Sequence, residues 1–418
     1  MKKIIFHIDV NSAYLSWTAV EKLKKGAKED LREIPSIIGG DEASRHGIVL
    51  AKSVSAKKYG VTTGEPVASA LRKCAALVME RPDHKMYREY SRRLMDFLKT
   101  YTPDIEQLSI DECFLDYTPI AHLYGDPVTF AHQLKDEIRN RFGFTVNIGI
   151  SEVKILAKMA SDFQKPDRVH TLWKREIQEK MWGLPVSELY MVGKSSVPKL
   201  RNLGIHTIGD LAGMKPEILE AHFKSYGRMI WENANGIGSD VVESEDAAAK
   251  GVGNSTTLQE DAVTAEQAKK TLLILAESVS ARLRKHAFLA GNAAVEIKYS
   301  DFSKCSHQAA FLTPTNSTDR IYELSCHLFE ELWNGSPIRL LGIRTSKLQD
   351  VSEPVQMSLF DLEPAGESEA EQKKIPAKEK LAKLDQAMDA IKKRYGEDAI
   401  MRGSLLLKEE KVSSAQEE

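Results

Sequence analysis

The pattern of apolar and polar positions in residues 3 to 163 predicts a sheet flanked by helices. Residues 4 to 10 form an almost continuous apolar run, which is typical of a strand buried on both faces. Two shorter alternating runs, at 104–108 and 113–117, predict the paired strands of a hairpin. The same patterns predict helices over 12–25, 84–101, 128–142 and 154–163, and one further strand over 144–150.

The order of these elements is β-α-β-β-α-β once residues 26 to 80 are set aside, and this is the order of a ferredoxin-like sheet. In that topology the first strand lies beside the hairpin. The omitted stretch has short predicted strands near 34–38 and 48–51, a basic helix over 53–59 and a second helix that Pro66 begins. We therefore expect a small lobe inserted into an α+β domain.

Three further parts follow in the chain. Residues 185–240 show short helical patterns, and residues 191–205 resemble a helix-hairpin-helix, a motif that directs helix N-terminal amides at phosphate. The small and acidic residues of 243–251 predict a linker. Residues 252–349 again predict the order β-α-β-β-α-β, and we expect the topology of the first domain to repeat there.

The remainder, residues 350–418, predicts a flexible acidic tail that contains one helix. An apolar island at 356–360 interrupts its acidic first part. Apolar residues then recur at helical spacing over about 377–395, which predicts an amphipathic helix with Leu381, Leu384, Met388 and Ile391 on one face.

The charge of the 418-residue chain is unevenly distributed. Of its 58 Lys and Arg and 60 Asp and Glu, residues 349–418 hold 11 and 16, which leaves 47 against 44 for residues 1–348. Because this body is only weakly basic, any contact with nucleic acid must come from local clusters. No run is long enough to span a bilayer and no signal-peptide pattern is present, so we expect a cytoplasmic protein without a membrane partner. The four cysteines have no metal-binding spacing, which argues against zinc.

Three acids that are distant in sequence are expected to meet at one end of the first predicted sheet. Ser109-Ile110-Asp111-Glu112 places two carboxylates between the strands of the hairpin, and Asp9 lies near the end of the first strand. A turn or capping role would explain one such acid alone, but the topology brings all three together. Hard oxygen donors with open positions suit Mg²⁺ better than Zn²⁺. His7 is expected to point to the opposite face of the strand from Asp9 and to be a packed residue rather than a base.

A set of short motifs resembles the Y-family (DinB/UmuC-type) DNA polymerases over roughly residues 1–348. The motifs are Asp9, Ser109-Ile110-Asp111-Glu112, Ile148-Gly149-Ile150-Ser151, Leu156-Ala157-Lys158, Ala160-Ser161-Asp162 and Lys165-Pro166. The resemblance implies a ferredoxin-like palm, inserted fingers, a helix-hairpin-helix thumb, a linker, a little finger and an acidic tail. The palm would comprise residues 1–25 and 81–182, the fingers 26–80 and the thumb 183–242. The linker would be 243–251, the little finger 252–349 and the acidic tail 350–418.

The resemblance also implies how the three acids would act. Asp9 and Asp111 would bridge two Mg²⁺ ions, and Glu112 would complete the site of the metal at the primer 3′-hydroxyl. The carbonyl of Val10 would face the metal that accompanies the nucleotide. One metal would lower the pKa of the attacking hydroxyl while the other stabilises the leaving pyrophosphate.

Further residues match binding positions of the family. Tyr14 matches the steric gate, an aromatic ring that collides with a 2′-hydroxyl, and Lys165 matches the palm lysine that binds the triphosphate. Gly193 and Lys194 of the hairpin would contact DNA, although the first glycine of that motif is replaced by Met191.

The fingers depart from the commonest family pattern. Where many members have Tyr-x-x-Arg at the triphosphate, this chain has Val54-Ser55-Ala56-Lys57. Lys57 can supply a point charge but not the bidentate fork of arginine. The effect on nucleotide affinity and on lesion preference is left open by the sequence.

In the tail, Gln356-Met357-Ser358-Leu359-Phe360 resembles the sliding-clamp-binding peptide of bacterial polymerases. In that peptide Gln356, Leu359 and Phe360 would fill pockets. Apolar islands in extended acidic segments commonly fold when they bind a groove.

We therefore expect a monomeric, template-directed DNA polymerase of low fidelity that performs translesion synthesis on primer-template DNA with deoxynucleoside triphosphates. It should lack proofreading, because no second acidic cluster suggests an exonuclease. Two alternatives remain. The altered fingers mildly favour a catalytically weakened, DNA-binding accessory protein. Gly39-Gly40-Asp41-Glu42 imitates the signature of nucleotide cyclases, but it lies in the inserted lobe rather than on the hairpin of the sheet.

Overall fold

The protein is described here from a computed structural model. The description covers residues 2–40, 47–245, 248–353 and 374–403, without the side chains of 374–379 and 397. The chain divides into two compact units, Met1–Asp246 and Ala247–Glu418. Asp41 and Glu42 of the cyclase-like motif, and Gln356, Leu359 and Phe360 of the clamp-like peptide, lie outside the described residues. None of the described helices has the length and apolar character needed to cross a membrane.

The first unit begins with strands and helices that we number in chain order. The strands are β1 (Ile5–Val10), β2 (Ser36–Gly39), β3 (Val49–Lys52), β4 (Val78–Glu80), β5 (Ile105–Gln107), β6 (Glu112–Asp116), β7 (Val146–Ser151) and β8 (Val169–Thr171). The helices are α1 (Ala13–Lys24), α2 (Val54–Lys58), α3 (Val67–Lys73), α4 (His84–Leu98), α5 (Ala121–Tyr124), α6 (Pro127–Phe142), α7 (Lys154–Asp162), α8 (Ile177–Lys180), α9 (Val197–Asn202), α10 (Ile208–Gly213), α11 (Pro216–Phe223) and α12 (Ser225–Ala234).

The main sheet of this unit has the strand order β5-β6-β1-β7-β8. β1 lies between β6 and β7 and is antiparallel to both, so the predicted ferredoxin-like order and the position of β1 beside the hairpin are confirmed. β8 pairs in parallel with β7 and was not predicted. A strand of three residues is too short to show a hydrophobic period.

The two faces of β1 have different surroundings. Phe6, Ile8 and Val10 point into the main core, where they meet side chains of α1, α4 and α6 such as Trp17 and Leu94. The opposite face is covered by α7, which contacts both β1 and β7.

Gly149 explains how closely α7 crosses the sheet. A β-carbon at this position of β7 would lie 2.0 Å from the carbonyl oxygen of Ala157, so any larger residue would push the helix away. His7, which pairs with Gly149 in the strand register, lies beneath the same helix, and its Nδ1 is 2.8 Å from the Ser161 hydroxyl. The prediction that His7 faces away from Asp9 is therefore wrong, because side chains two residues apart share a face of a strand. His7 is a fully buried, packed residue, as expected.

The inserted lobe has a small sheet of its own with the order β3-β2-β4. β2 and β3 were predicted, whereas the parallel pairing of β2 with β4 was not. The lobe has a separate core in which Ile37, Val49 and Val67 are fully buried. Ser53 caps α2 by accepting a hydrogen bond from the amide of Ala56 at 3.0 Å.

The second unit has the predicted order of elements but not the predicted topology. Its elements are β9 (Gly251–Ala262), α13 (Ala265–Lys285), β10 (Phe288–Tyr299), β11 (Lys304–Thr315), α14 (Thr318–Leu332), β12 (Ile338–Asp350) and α15 (Lys374–Tyr395). The sheet order is β11-β10-β12-β9, so the first strand lies at an edge instead of at the centre. The reason is that β12 inserts between β9 and β10 and pairs antiparallel with both. Order along the chain repeats while strand pairing does not.

α15 packs on this unit through charged rather than apolar side chains. Asp385 and Met388 are buried, whereas Leu381 and Leu384, which were predicted on the same apolar face as Met388, are 39% and 46% exposed. The face of α15 that contacts the rest of the unit is the one whose acids pair with basic side chains. We call these groups the anchor cluster: Arg284, Asp319, Asp385, Asp389 and Arg402.

Candidate active site

The three predicted acids meet at one end of the main sheet, and we call them the carboxylate cluster (Asp9, Asp111 and Glu112). The antiparallel register of β1 and β6 places Asp9 opposite Glu112. The amide of Val10 donates to the carbonyl of Asp111 over 3.1 Å, which holds the turn of the hairpin against β1. The strand order thus unites groups about 100 positions apart in sequence.

Two lysines neutralise this cluster in different ways. Lys165 Nζ lies 2.9 Å from an oxygen of Asp9 and 2.8 Å from an oxygen of Asp162, and its side chain is 35% exposed. Lys158 Nζ lies 2.6 Å from an oxygen of Glu112 and is only 7% exposed. The ring of Tyr190 covers Lys158, with its centroid 5.0 Å from Nζ. Lys158 is therefore enclosed, while Lys165 remains at the surface.

The protonation of the cluster follows from its burial. The pKa of Asp9 is raised to about 7, first by burial and also by a hydrogen bond shared with Glu112, against the opposing charge of Lys165. Burial acts in the same direction on Glu112, but the hydrogen bonds to Asp9 and Lys158 outweigh it and lower the pKa of Glu112. The shared proton therefore belongs to Asp9.

Asp111 is the third member of the cluster. Burial raises its pKa, and the hydroxyl of Ser109, which donates to it over 2.8 Å, opposes that shift. Within the described ranges no ion pair forms at this carboxylate. Because Lys165 is also paired with Asp162, the two lysines serve four carboxylates in all, the three of the cluster and that of Asp162.

The residue types of the cluster fit a hard divalent cation, because each is an oxygen donor. In the part of the chain that the structure describes, however, no three His, Cys, Asp or Glu side chains are arranged to hold a metal ion together. Lys165 and Lys158 are each paired with an oxygen of Asp9 or Glu112 that a metal could otherwise use. A metal site here requires at least Lys165, the more exposed of the two, to move away from Asp9.

Tyr14 lies in the first turn of α1, close after the end of β1. Its ring stacks on Tyr87 with centroids 4.4 Å apart, and the edge of His84 approaches it at 6.0 Å. These contacts fix the orientation of a half-buried ring. Ser12, just before the helix, adopts a left-handed backbone with φ of 47°.

Lys57 is not brought to the carboxylate cluster. It lies exposed on α2 in the inserted lobe, one turn after Val54, which is 54% exposed. Among the described residues it forms no ion pair with the acids of the cluster. Its charge does act on Lys52, whose pKa is lowered first by burial and then by Lys57.

The turn that contains Met191 lies between a three-residue 3-10 helix, Val186–Glu188, and α9. Met191 adopts a left-handed backbone with φ of 75°, the conformation that glycine tolerates best. The Tyr226 hydroxyl donates to the Met191 carbonyl over 3.0 Å and so holds this turn. Gly193 and Lys194 are exposed, and the Gly193 carbonyl accepts from the amide of Ser196 at 2.9 Å.

The sequence interpretation missed three residues near the cluster: Lys158, Asn11 and Asn147. Lys158 was noted only as part of a motif. Asn147 carried a usable signal, because it is a polar residue within an apolar strand, just as Asp9 is. Asn11 follows Asp9 by two positions and received no interpretation from the sequence.

Comparisons with known proteins agree on one family. Two family models match, that of the impB/mucB/samB family at residues 8–162 and that of the impB/mucB/samB family C-terminal domain at residues 249–359. DNA polymerase IV of Clostridium acetobutylicum is 47% identical over 98% of this chain and 100% of its own length. DNA polymerase IV of Alkaliphilus oremlandii is 37% identical over the same shares. A solved Y-family DNA polymerase chimera has a similar fold, with a TM-score of 0.71 and 22% identity over 83% of this chain and 99% of its own.

Proposed function

The chain belongs to the Y-family of bacterial translesion DNA polymerases, and from this membership we propose that it extends primers by two-metal nucleotidyl transfer with Mg²⁺ and without proofreading. The observation that carries the proposal is the meeting of Asp9, Asp111 and Glu112 at one end of the sheet. Their buried, under-neutralised carboxylates favour binding of a divalent cation.

The roles of the protein groups follow from their positions. Asp9 and Asp111 would bridge the two ions, Glu112 would complete the site near the primer end, and the Val10 carbonyl would face the nucleotide side. When bound, the two ions would lower the pKa of the primer 3′-hydroxyl and stabilise the charge of the leaving pyrophosphate. Lys165, which is exposed and shared between two acids, can turn from Asp9 towards a triphosphate.

Tyr14 is proposed as the steric gate. Its stacking on Tyr87 holds the ring still, and a fixed ring can discriminate against a 2′-hydroxyl where a mobile one would yield. Replacing Tyr14 by Ala should admit ribonucleotides, with discrimination reduced on the order of 10- to 100-fold. Unchanged sugar selectivity in single-nucleotide insertion would remove this role from Tyr14.

The domain ranges are proposed as a palm at 1–25 and 81–182, fingers at 26–80, a thumb at 183–242 and a little finger at 252–349. Gly193 and Lys194 are proposed to meet the DNA backbone, since both are exposed on a tight turn. Lys57 is proposed to approach the triphosphate as a point charge only if the fingers move towards the palm.

We further propose that the enzyme works as a monomer in the bacterial cytoplasm.

The sliding clamp is proposed as a partner through Gln356, Leu359 and Phe360. The support is the sequence pattern alone, an apolar island in an acidic segment. Replacing Leu359 and Phe360 by Ala should eliminate stimulation by the clamp and leave clamp-free extension unchanged. A pull-down with the clamp, paired with extension kinetics, tests both halves of this expectation.

Primer extension with Mg²⁺ tests the central proposal. The full chain should add templated deoxynucleotides, should continue past an abasic site, and should leave a mismatched 3′ end in place when no nucleotide is supplied. DNA binding without extension would support the accessory-protein alternative. Removal of the mismatched nucleotide would contradict the absence of proofreading.

A further inference from the structure

Asn11 and Asn147 form a buried amide pair beside the carboxylate cluster, and the proposed mechanism assigns them no role. Asn147 lies on β7 directly opposite Asp9 in the strand register. Asn11 Nδ2 donates to Asn147 Oδ1 over 3.1 Å. The two side chains are 7% and 0% exposed, so water does not compete for their hydrogen bonds. We call this pair the amide bracket.

The amide bracket holds the chain on both sides of Lys165. On the preceding side, Asn147 Nδ2 donates to the carbonyl of Gln164 over 2.7 Å. On the following side, the amide of Asp167 donates to Asn11 Oδ1 over 2.9 Å. The loop that carries Lys165 is therefore tied at the residue before it and at the second residue after it.

Two more bonds connect the amide bracket to neighbouring elements. The amide of Arg168 donates to Asn147 Oδ1 over 3.2 Å, and Asn147 Nδ2 donates to the carbonyl of Ser161 on α7 over 2.9 Å. The Asn147 side chain thus has two donated and two accepted hydrogen bonds, which is its full capacity. Removing it would leave several buried backbone groups without partners.

We propose that Asn11 and Asn147 are positioning residues that fix the loop of Lys165, so that its ammonium, once it has turned from Asp9, reaches the triphosphate of the incoming nucleotide. This inference rests on the proposed role of Lys165. Small displacements of a binding group weaken its interaction strongly. A loop held only by surface contacts would leave the position of the lysine variable, whereas the amide bracket joins the loop to β7 and to the residue that follows β1.

The test compares Asn147→Ala with Ser151→Ala in single-nucleotide insertion with Mg²⁺. Ser151 is a matched control because it is fully buried on the same strand and its hydroxyl donates to a backbone carbonyl, that of Leu172. Asn147→Ala should raise KM for the nucleotide about tenfold or more, and change kcat and primer-template affinity by less than about threefold. Ser151→Ala should leave KM for the nucleotide unchanged, even if it lowers Tm as much as Asn147→Ala does.

Nucleotide affinity measured without turnover gives a second readout. With a dideoxy-terminated primer, the Kd for the nucleotide should rise by the same factor in Asn147→Ala as KM does. In a Lys165→Ala background the same change should add less than about twofold, because the lysine that the amide bracket positions is already gone. If Asn147→Ala fails to fold, Asn11→Ala, which frees only one side of the loop, decides the question.

Unchanged KM and Kd in folded amide-bracket variants would overturn the inference. It would also be overturned if Asn147→Ala raised Kd by the same factor in the Lys165→Ala background as in wild type. Wild-type protein that adds no nucleotide would instead contradict the proposed function. The two failures are therefore distinct.

Discussion

The carboxylate cluster of the first unit and the anchor cluster of the second both place acids beside bases. The bases are lysines in the first cluster and arginines in the second. In the anchor cluster, Arg284 donates to Asp389 from Nε over 2.6 Å and from Nη2 over 2.9 Å. Arg402 reaches Asp319 over 2.6 Å and Asp385 over 3.2 Å. In the carboxylate cluster the bases are lysines, and Asp111 receives only the Ser109 hydroxyl among the described groups.

The difference separates a structural cluster from one suited to bind a cation. A guanidinium that donates two parallel hydrogen bonds fixes both partners, and it cannot be deprotonated. An ammonium is a compact charge on a flexible stem, which another cation can replace. The anchor cluster therefore has the more rigid partners, while the carboxylate cluster has partners that the proposed metal ions could displace.

The largest expected effect comes from removing an acid of the carboxylate cluster. Asp111→Ala should reduce primer extension by a factor on the order of 1,000 or more, because the carboxylate would hold both ions. DNA binding should survive, since the change removes negative charge from a site that meets a polyanion. Extension kinetics together with a primer-template binding assay measure the two properties separately.

Asp116→Asn is the control for Asp111→Ala. Asp116 lies at the other end of β6 and is also buried, but it pairs with Lys3 and caps the amide of Thr118. Extension by this variant should stay within about threefold of wild type, because it touches stability and not the metal site. An Asp111→Ala enzyme that extends primers as well as Asp116→Asn does would refute the assignment of the cluster.

The next effect is on stability rather than on activity. Arg284→Met should lower the free energy of unfolding of the second unit by about 3 kcal/mol, because it leaves Asp389 without its guanidinium and the buried Asp385 with that of Arg402 alone. Limited proteolysis should then cut near α15. Lys270→Met, which breaks an exposed pair with Glu266, should cost no more than about 0.5 kcal/mol. Equal losses in the two variants would show that the anchor cluster is no stronger than a surface pair.

Sequence reasoning predicted the order of elements and the meeting of the three acids, because hydrophobic period and the ferredoxin-like order limit the arrangements available. It failed where the sheet is formed by pairing between strands that are distant in sequence. The insertion of β12 between β9 and β10 leaves no trace in the local pattern. The short strands β4 and β8 were missed for a related reason, since each is added to a sheet that neighbouring strands have already formed.

Side-chain partners were the other limit. Of the predicted apolar face of α15, Met388 is buried, but Leu381 and Leu384 are exposed. Beside Met388 the helix contacts its domain through ion pairs of Asp385 and Asp389, and hydrophobic periodicity does not count such pairs. Likewise the predicted site contained its acids but not Lys158 or the amide bracket. Those groups are defined by what they contact, and a single sequence does not show contacts.

The smallest expected effect concerns the proton on Asp9. Its pKa is raised from 3.8 to about 7 by burial, so the folded chain binds this proton more tightly than the unfolded chain does. The contribution of Asp9 to stability should therefore fall as pH rises through this window. His7 acts in the opposite sense, because burial lowers its pKa from 6.5 to about 3, and its contribution is lost as pH falls.

The comparison of wild type with Asp9→Asn isolates the first contribution, since His7 is common to both. In buffer without divalent cations, the two proteins should be similarly stable near pH 5, and Asp9→Asn should be the more stable near pH 8. Adding Mg²⁺ at pH 8 should then stabilise wild type and not the variant, because a ligand that binds only the folded state raises its stability. Denaturant unfolding at each pH, with and without Mg²⁺, provides the measurement. A constant difference across pH would show that Asp9 is neutralised by Lys165 alone, and the contrast with the arginine-paired acids of the anchor cluster would then lose its basis.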